Sequence, residues 1–170
     1  MVKIVTDSLS DLPVEVVQEL GITVVPLCVH FGTDVYRDGV DLTTEQFYDK
    51  LAQSKTLPTT AVPALGTFVE AYDRLAEETD GILVITISRK LSAVYEAALE
   101  AIEQMKRRCR VEVIDSRLAL MAEGLVVIEA AKAGATIGEV VGVIRMAYNY
   151  DYDPLGATST PAFISKLIRE

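Results

Sequence analysis

Apolar positions in this chain fall into two rhythms, and the alternation between them lays out the fold. Four short runs, KIVTD (3–7), ITVVPLCVHF (22–31), GILVITI (81–87) and RVEVID (110–115), are rich in Val and Ile and bounded by polar residues or Gly; they predict β-strands. Between them, apolar residues recur at spacings of three and four. TTEQFYDKLA (43–52), GTFVEAYDRLAEE (66–78) and the segment 91–107, through Leu91, Val94, Tyr95, Ala98, Ile102 and Met105, predict amphipathic helices. Asp11, followed by Leu12 and Pro13, has the pattern of a helix cap with proline in the first turn, and Gly21 supplies the stop before the second strand. Two more helices are expected at 117–133 and 137–149.

Strands that are apolar almost throughout are buried on both faces, as in a parallel sheet whose crossover helices cover either side. The predicted fold class is therefore α/β: a doubly wound, mostly parallel sheet with helices on both faces. Residues 1–150 are expected to form this domain. In STPAFISKLIRE, Thr160 and Pro161 are placed to start another helix, so 151–170 are expected to be a linker and the start of a truncated second domain.

Composition narrows the partners. The chain has 170 residues, half of them apolar, which suits one globular domain. A formal net charge of −9 opposes the phosphate backbone of nucleic acid, so no nucleic-acid partner is expected. The one basic run, KRRCR (106–110), is read as complementing the negative end of the preceding helix. With no charged leader ahead of a long apolar stretch and no run of 18 apolar residues, the expectation is a cytoplasmic protein without a membrane span. Cys28 and Cys109 form no CxxC pair and read as core thiols.

The familiar catalytic signatures are missing: no GxSxG, no P-loop, no GxGxxG after the first strand, no HExxH. No cofactor or metal is expected. The single histidine, His30, sits inside the second strand pattern. What stands out is a set of small polar residues after strands: Thr6, Asp7 and Ser8 after the first, Ser88 after the third with Ser92 opening the next helix, and Asp115 and Ser116 after the fourth. Ligands of open α/β sheets bind outside the carboxyl ends of the strands, so these residues converge on one crevice, which Thr59 and Thr60 of the PTTAVP loop would join. Each Ser or Thr alone is explained as a helix cap; together they imply a pocket without naming its ligand.

TDSLSDLP (6–13), YRDGVDLT (36–43) within the block 24–51, PTTAVPALGTFVEAYDRL (58–75), ITISRKLSAVYEAALEA (85–101) and VEVIDS (111–116) resemble, in order and spacing, the DegV family of bacterial fatty-acid-binding proteins. The resemblance implies a protein that holds one long-chain fatty acid, tail buried in this α/β domain and carboxylate near a cleft with a second domain, for presentation to a separate fatty acid kinase. It also implies that Thr60 and Ser92 hold the head group, with Thr59, Ser8, Ser88, Arg89 and Ser116 as secondary candidates. The chain departs from the family's pattern at Ala61, Val62 and Ala64, at Arg89, Ala93 and Val94, and over RLALMAEG (117–124). Two other readings, a phosphoryl-carrier or dihydroxyacetone-kinase-like subunit and a hydrolase using Ser92, both depend on His30.

Overall fold

The computed structural model describes residues 2–133. In chain order these form β1 (Lys3–Asp7), a single 3₁₀ turn (Ser8–Ser10), α1 (Val14–Leu20), β2 (Thr23–Val25), β3 (Cys28–Phe31), β4 (Asp34–Arg37), α2 (Thr44–Gln53), β5 (Thr59–Ala61), α3 (Leu65–Leu75), β6 (Gly81–Thr86), α4 (Val94–Glu103), β7 (Arg110–Asp115) and α5 (Met121–Ala133). The expected helix at 137–149 and the segment 151–170 lie outside the described residues.

The α/β class holds. β2, β1, β6 and β7 lie side by side in that order, all parallel. The strand order reverses between β1 and β6, which makes their carboxyl ends the topological switch point of the sheet. Period-two alternation explains the continuous apolar runs. Val5, Ile82 and Val84 point to the layer of α3 and α4, where Phe68, Tyr72, Val94 and Ala98 are fully buried. Ile4, Leu83 and Ile85 point the other way, into the layer of α1 and α5 with Ile22, Ile114 and Val127. A fully buried Phe or Leu contributes about 1.5–3 kcal/mol, so this two-faced core supplies most of the stability. Tyr72 brings a hydroxyl into it and satisfies it by donating to the Ala98 carbonyl oxygen at 3.1 Å.

The run at 22–31 is two strands rather than one. Pro26 cannot donate to a ladder, and the chain leaves the parallel sheet there. β3 instead becomes the centre of a separate three-stranded antiparallel sheet in the order β4, β3, β5. The YRDGVDLT block closes the turn that follows β4: Arg37 grips Asp41 through two side-chain bonds of 2.8 Å and its own backbone N–H at 3.0 Å. That grip holds the Asp41 carboxyl down at about 2. α2 then starts on a capping box, in which Thr43 Oγ1 accepts from Gln46 N–H and the Gln46 side chain accepts from Thr43 N–H.

Helix boundaries also moved. Asp11 does not cap α1; it ends the 3₁₀ turn in the left-handed region, and Pro13 stands at the N-cap without a side-chain bond. Residues 88–92 turn back on themselves before α4, with Leu91 N–H and Ser92 N–H both donating to the Ser88 carbonyl, so Ser92 precedes the cap, Ala93. α4 ends at Glu103, so KRRCR lies beyond its last turn; there Asp73 Oδ1 accepts from the N–H groups of Lys106 and Arg107. α5 starts at Met121, not at 117. Among the described residues no helix is long and apolar enough to cross a membrane.

Gly124 lies close against the turn after β1. A Cβ there would run into the Ser10 carbonyl oxygen, while a Cβ at Gly66, in the first turn of α3, would meet nothing. Gly124→Ala is therefore expected to lower stability by about 1–3 kcal/mol despite alanine's better helix propensity, and Gly66→Ala to be neutral or raise it by up to about 1 kcal/mol. Urea unfolding of both variants checks this, and equal effects would contradict the packing described.

Candidate functional site

At the switch point the chain puts a carboxylate where a backbone crossing needs one. Asp7 ends β1 and is fully buried. Its Oδ1 accepts from Leu9 N–H at 3.0 Å and its Oδ2 from Ile87 N–H at 2.9 Å, while its carbonyl oxygen accepts from Ser10 Oγ at 2.8 Å. One side chain thus closes the turn after β1 and ties it to the end of β6. Burial pushes the Asp7 carboxyl up to about 6, and the two N–H donors work against that rise.

Around this hub, polar residues sort into two groups. On one side, Ser8 Oγ accepts from Leu27 N–H at 3.1 Å, which fixes the start of the small sheet against the end of β1. On the other, the turn after β6 and the turn after β7 are joined. Ser88 N–H donates to the Leu118 carbonyl at 2.8 Å, Ser116 N–H to the Thr86 carbonyl at 3.1 Å, and Asp115 Oδ1 accepts from Arg89 N–H at 3.2 Å and Arg117 N–H at 2.9 Å. Ser88 Oγ accepts from Lys90 N–H, and Ser116 Oγ accepts from Leu118 N–H. Ser116 Oγ also donates to the Leu118 carbonyl at 3.3 Å, so it is fully engaged in its turn, whereas Ser88 Oγ serves its turn and Ser8 Oγ the small sheet as acceptors. Arg89 is engaged as well: its guanidinium reaches Glu96 at 3.1 Å and lies over the Tyr95 ring at 5.0 Å.

Thr60, Thr59 and Ser92 differ. Among the described residues none of their hydroxyls has a protein partner. The PTTAVP segment is not a loop at these positions; Thr59 and Thr60 lie on β5, and strand geometry separates them. Thr60 is in register with Val29 and, across β3, with Tyr36; Thr59 is in register with His30 and Val35. Directly paired residues share a face, and Val29 is buried, so Thr60 stands on the face that turns inward and Thr59 on the opposite one. The inward face is partly covered by α2, where Phe31 packs on Phe47 at 5.8 Å and Lys50 lies over the rings of Phe31 and Tyr36. Thr60 itself is exposed beside this cover. His30, on which the phosphoryl-carrier and hydrolase readings rest, shares the outer face with Thr59 and the exposed Val35. No group of His, Cys, Asp and Glu among the described residues has metal-holding geometry.

Two buried acids at the strand ends were not singled out from sequence. Asp7 was visible only as one polar residue after a strand, and nothing in the pattern marked it as the bridge. Glu123, on α5, is fully buried and accepts from Thr6 Oγ1 at 3.2 Å. Its burial and neighbouring carboxylates, Asp7 first, push it up to about 9.

Residues 1–150 match the DegV family, described as a family of uncharacterised proteins. A DegV domain-containing protein of Caldanaerobacter subterraneus subsp. tengcongensis is 36% identical over 146 residues, covering 84% of this chain and 51% of that protein. The chain thus spans about half the length of the curated relatives it matches. Among solved structures, DegV of Bacillus subtilis, described as a fatty acid binding protein, superposes with a TM-score of 0.80 at 26% identity, over 85% of this chain and 52% of that one. A DegV family protein of Thermus thermophilus, described by its fatty acid binding, gives 0.77 at 31% identity, over 87% and 53%.

The Asp7 bridge has a direct test. Asparagine keeps one acceptor oxygen and turns an NH₂ group toward the other N–H, so Asp7→Asn is expected to cost about 1–3 kcal/mol in denaturant unfolding. The loss should come with faster amide exchange at Leu9 and Ile87; unchanged stability would remove Asp7 from the centre of the site.

Proposed function

The chain belongs to the DegV family, and on that premise we propose that it binds a long-chain fatty acid, with the head group at Thr60 and Ser92 and the tail buried in the α/β domain. The observation that carries this reading is the division of the hydroxyls: Ser8 Oγ anchors Leu27 N–H, those of Ser88 and Ser116 serve their own turns, and those of Thr60 and Ser92 have no protein partner among the described residues. Of the two threonines, Thr60 is the donor because its face of β5 turns inward. Thr59 is not part of the site in this reading. Arg89, held by Glu96 and Tyr95, supplies no charge to the ligand. The chain acts as a carrier, needs no cofactor, and presents the acyl carboxylate to a separate fatty acid kinase.

The tail dominates affinity. A tail of about 14 methylenes contributes about 11 kcal/mol before the costs of ordering and immobilisation, against about 0.5–1.5 kcal/mol for each neutral hydroxyl donor. Two consequences can be measured with purified chain. Thr60→Ala and Ser92→Ala each weaken binding of a saturated fatty acid by about 2- to 12-fold, and Thr59→Ala leaves it unchanged. Along a series of saturated acids, affinity rises by up to about 4-fold per methylene until the site is full. Native mass spectrometry, followed by solvent extraction, identifies any acid that co-purifies. A chain that neither carries nor takes up fatty acid overturns the proposal, and a loss at Thr59 matching that at Thr60 overturns the assignment of faces.

A further inference from the structure

α5 buries an acid in an apolar stripe. Its other buried members are Gly124, Val127 and Ala130, and Glu123 is as fully enclosed as Val127. One hydrogen bond reaches it, from Thr6 Oγ1, and Oε2 has no partner among the described residues. The titratable groups set against it are Asp7 from β1, Asp11 from the end of the 3₁₀ turn and Asp115 from β7. From α1 come the apolar Val17 and Leu20, with Glu15 and Glu19 exposed, and β6 carries no charged residue. A carboxylate here would be buried next to other carboxylates with a single donor, so the neutral acid is the form that fits.

The backbone leading into α5 is held under strain. Arg117 and Leu120 both adopt φ of 57°, the left-handed region that side chains with a Cβ disfavour. Such conformations persist where the surroundings over-determine them. Here the constraints are Asp115 Oδ1 on Arg117 N–H, Ser116 Oγ on Leu118 N–H, and the N–H groups of Glu123 and Gly124 on the Leu120 carbonyl. The docking of Gly124 against Ser10 presses the same helix end onto the turn after β1. The Leu118 carbonyl, within this segment, accepts from Ser88 N–H.

We propose that Glu123 is a proton latch: neutral, it seats the first turn of α5 on the end of β1, and on losing its proton it lifts that turn and relaxes residues 117–120. Because Leu118 holds Ser88, release also loosens the 88–92 turn. The latch needs no ligand and stands apart from the fatty-acid reading. Its sign follows from linkage. Glu123 titrates at about 9 in the folded chain against an ordinary 4.5, so its stabilising contribution is complete below the ordinary value and is lost as pH rises through about 9.

Hydrogen exchange of the full chain across this range, corrected for intrinsic rates, tests the latch. The expected result is that protection over residues 121–133 and 8–10 falls progressively as pH rises from 4.5 to about 9, while Glu123→Gln, which cannot ionise, keeps it. Flat protection of α5 in the wild-type chain, or the same loss in Glu123→Gln, overturns the latch. Should the variant fail to fold, a carbon-detected NMR titration of the wild-type Glu123 carboxyl decides: neutral at neutral pH is expected, and ionised at neutral pH overturns it. Asp7→Asn, by removing the foremost neighbouring charge, is expected to lower that titration midpoint.

Discussion

The bond from Ile87 N–H to the Asp7 carboxylate is the constraint on which the site depends. Two parallel strands that diverge in connectivity at the switch point leave backbone donors at their carboxyl ends without ladder partners, and buried donors of that kind cost about 1–3 kcal/mol each. Asp7 answers two of them with one side chain, at Leu9 and Ile87. The polar segments after the strands hang from those turns: Ser8, which holds Leu27 and so the small sheet, and the 88–92 turn, which carries Ser92. The cost is a buried acid whose ionisation burial opposes.

That cost is compounded by Glu123. Two carboxyls meet from opposite sides of β1's end, Asp7 on the side of its own turn and Glu123 from α5 through Thr6. They answer differently because their donors differ. Asp7, with two backbone N–H groups, rises modestly; Glu123, with one hydroxyl and an unpartnered oxygen, rises far. Charge at this spot is tolerated once and resisted twice.

Much of the fold was legible because burial on both faces leaves a continuous apolar signature. β1, β6 and β7 fall where the Val and Ile runs predicted, and α2 and α3 follow their three-and-four spacing within a few residues. The single strand expected at 22–31 failed at Pro26, a residue whose missing N–H was there to be read. α5 was harder. Its buried face runs Glu123, Gly124, Val127, Ala130 while Leu125 is exposed, so hydrophobicity and burial do not coincide along the helix. The hydroxyl set at the strand ends was legible as a set. Which members close turns, and which face of β5 turns inward, depend on register and long-range pairing that no local spacing contains.

The small antiparallel sheet has a consequence in terms of descent. β3, β4, α2 and β5 form one uninterrupted stretch, set between Pro26 and Pro63 and inserted between β2 and α3 without entering the parallel sheet. Its ladder is its own, so substitutions along β4 and β5 leave the pairing of β1, β2, β6 and β7 untouched. A lineage can therefore rewrite the strand that carries Thr60 while inheriting the scaffold unchanged.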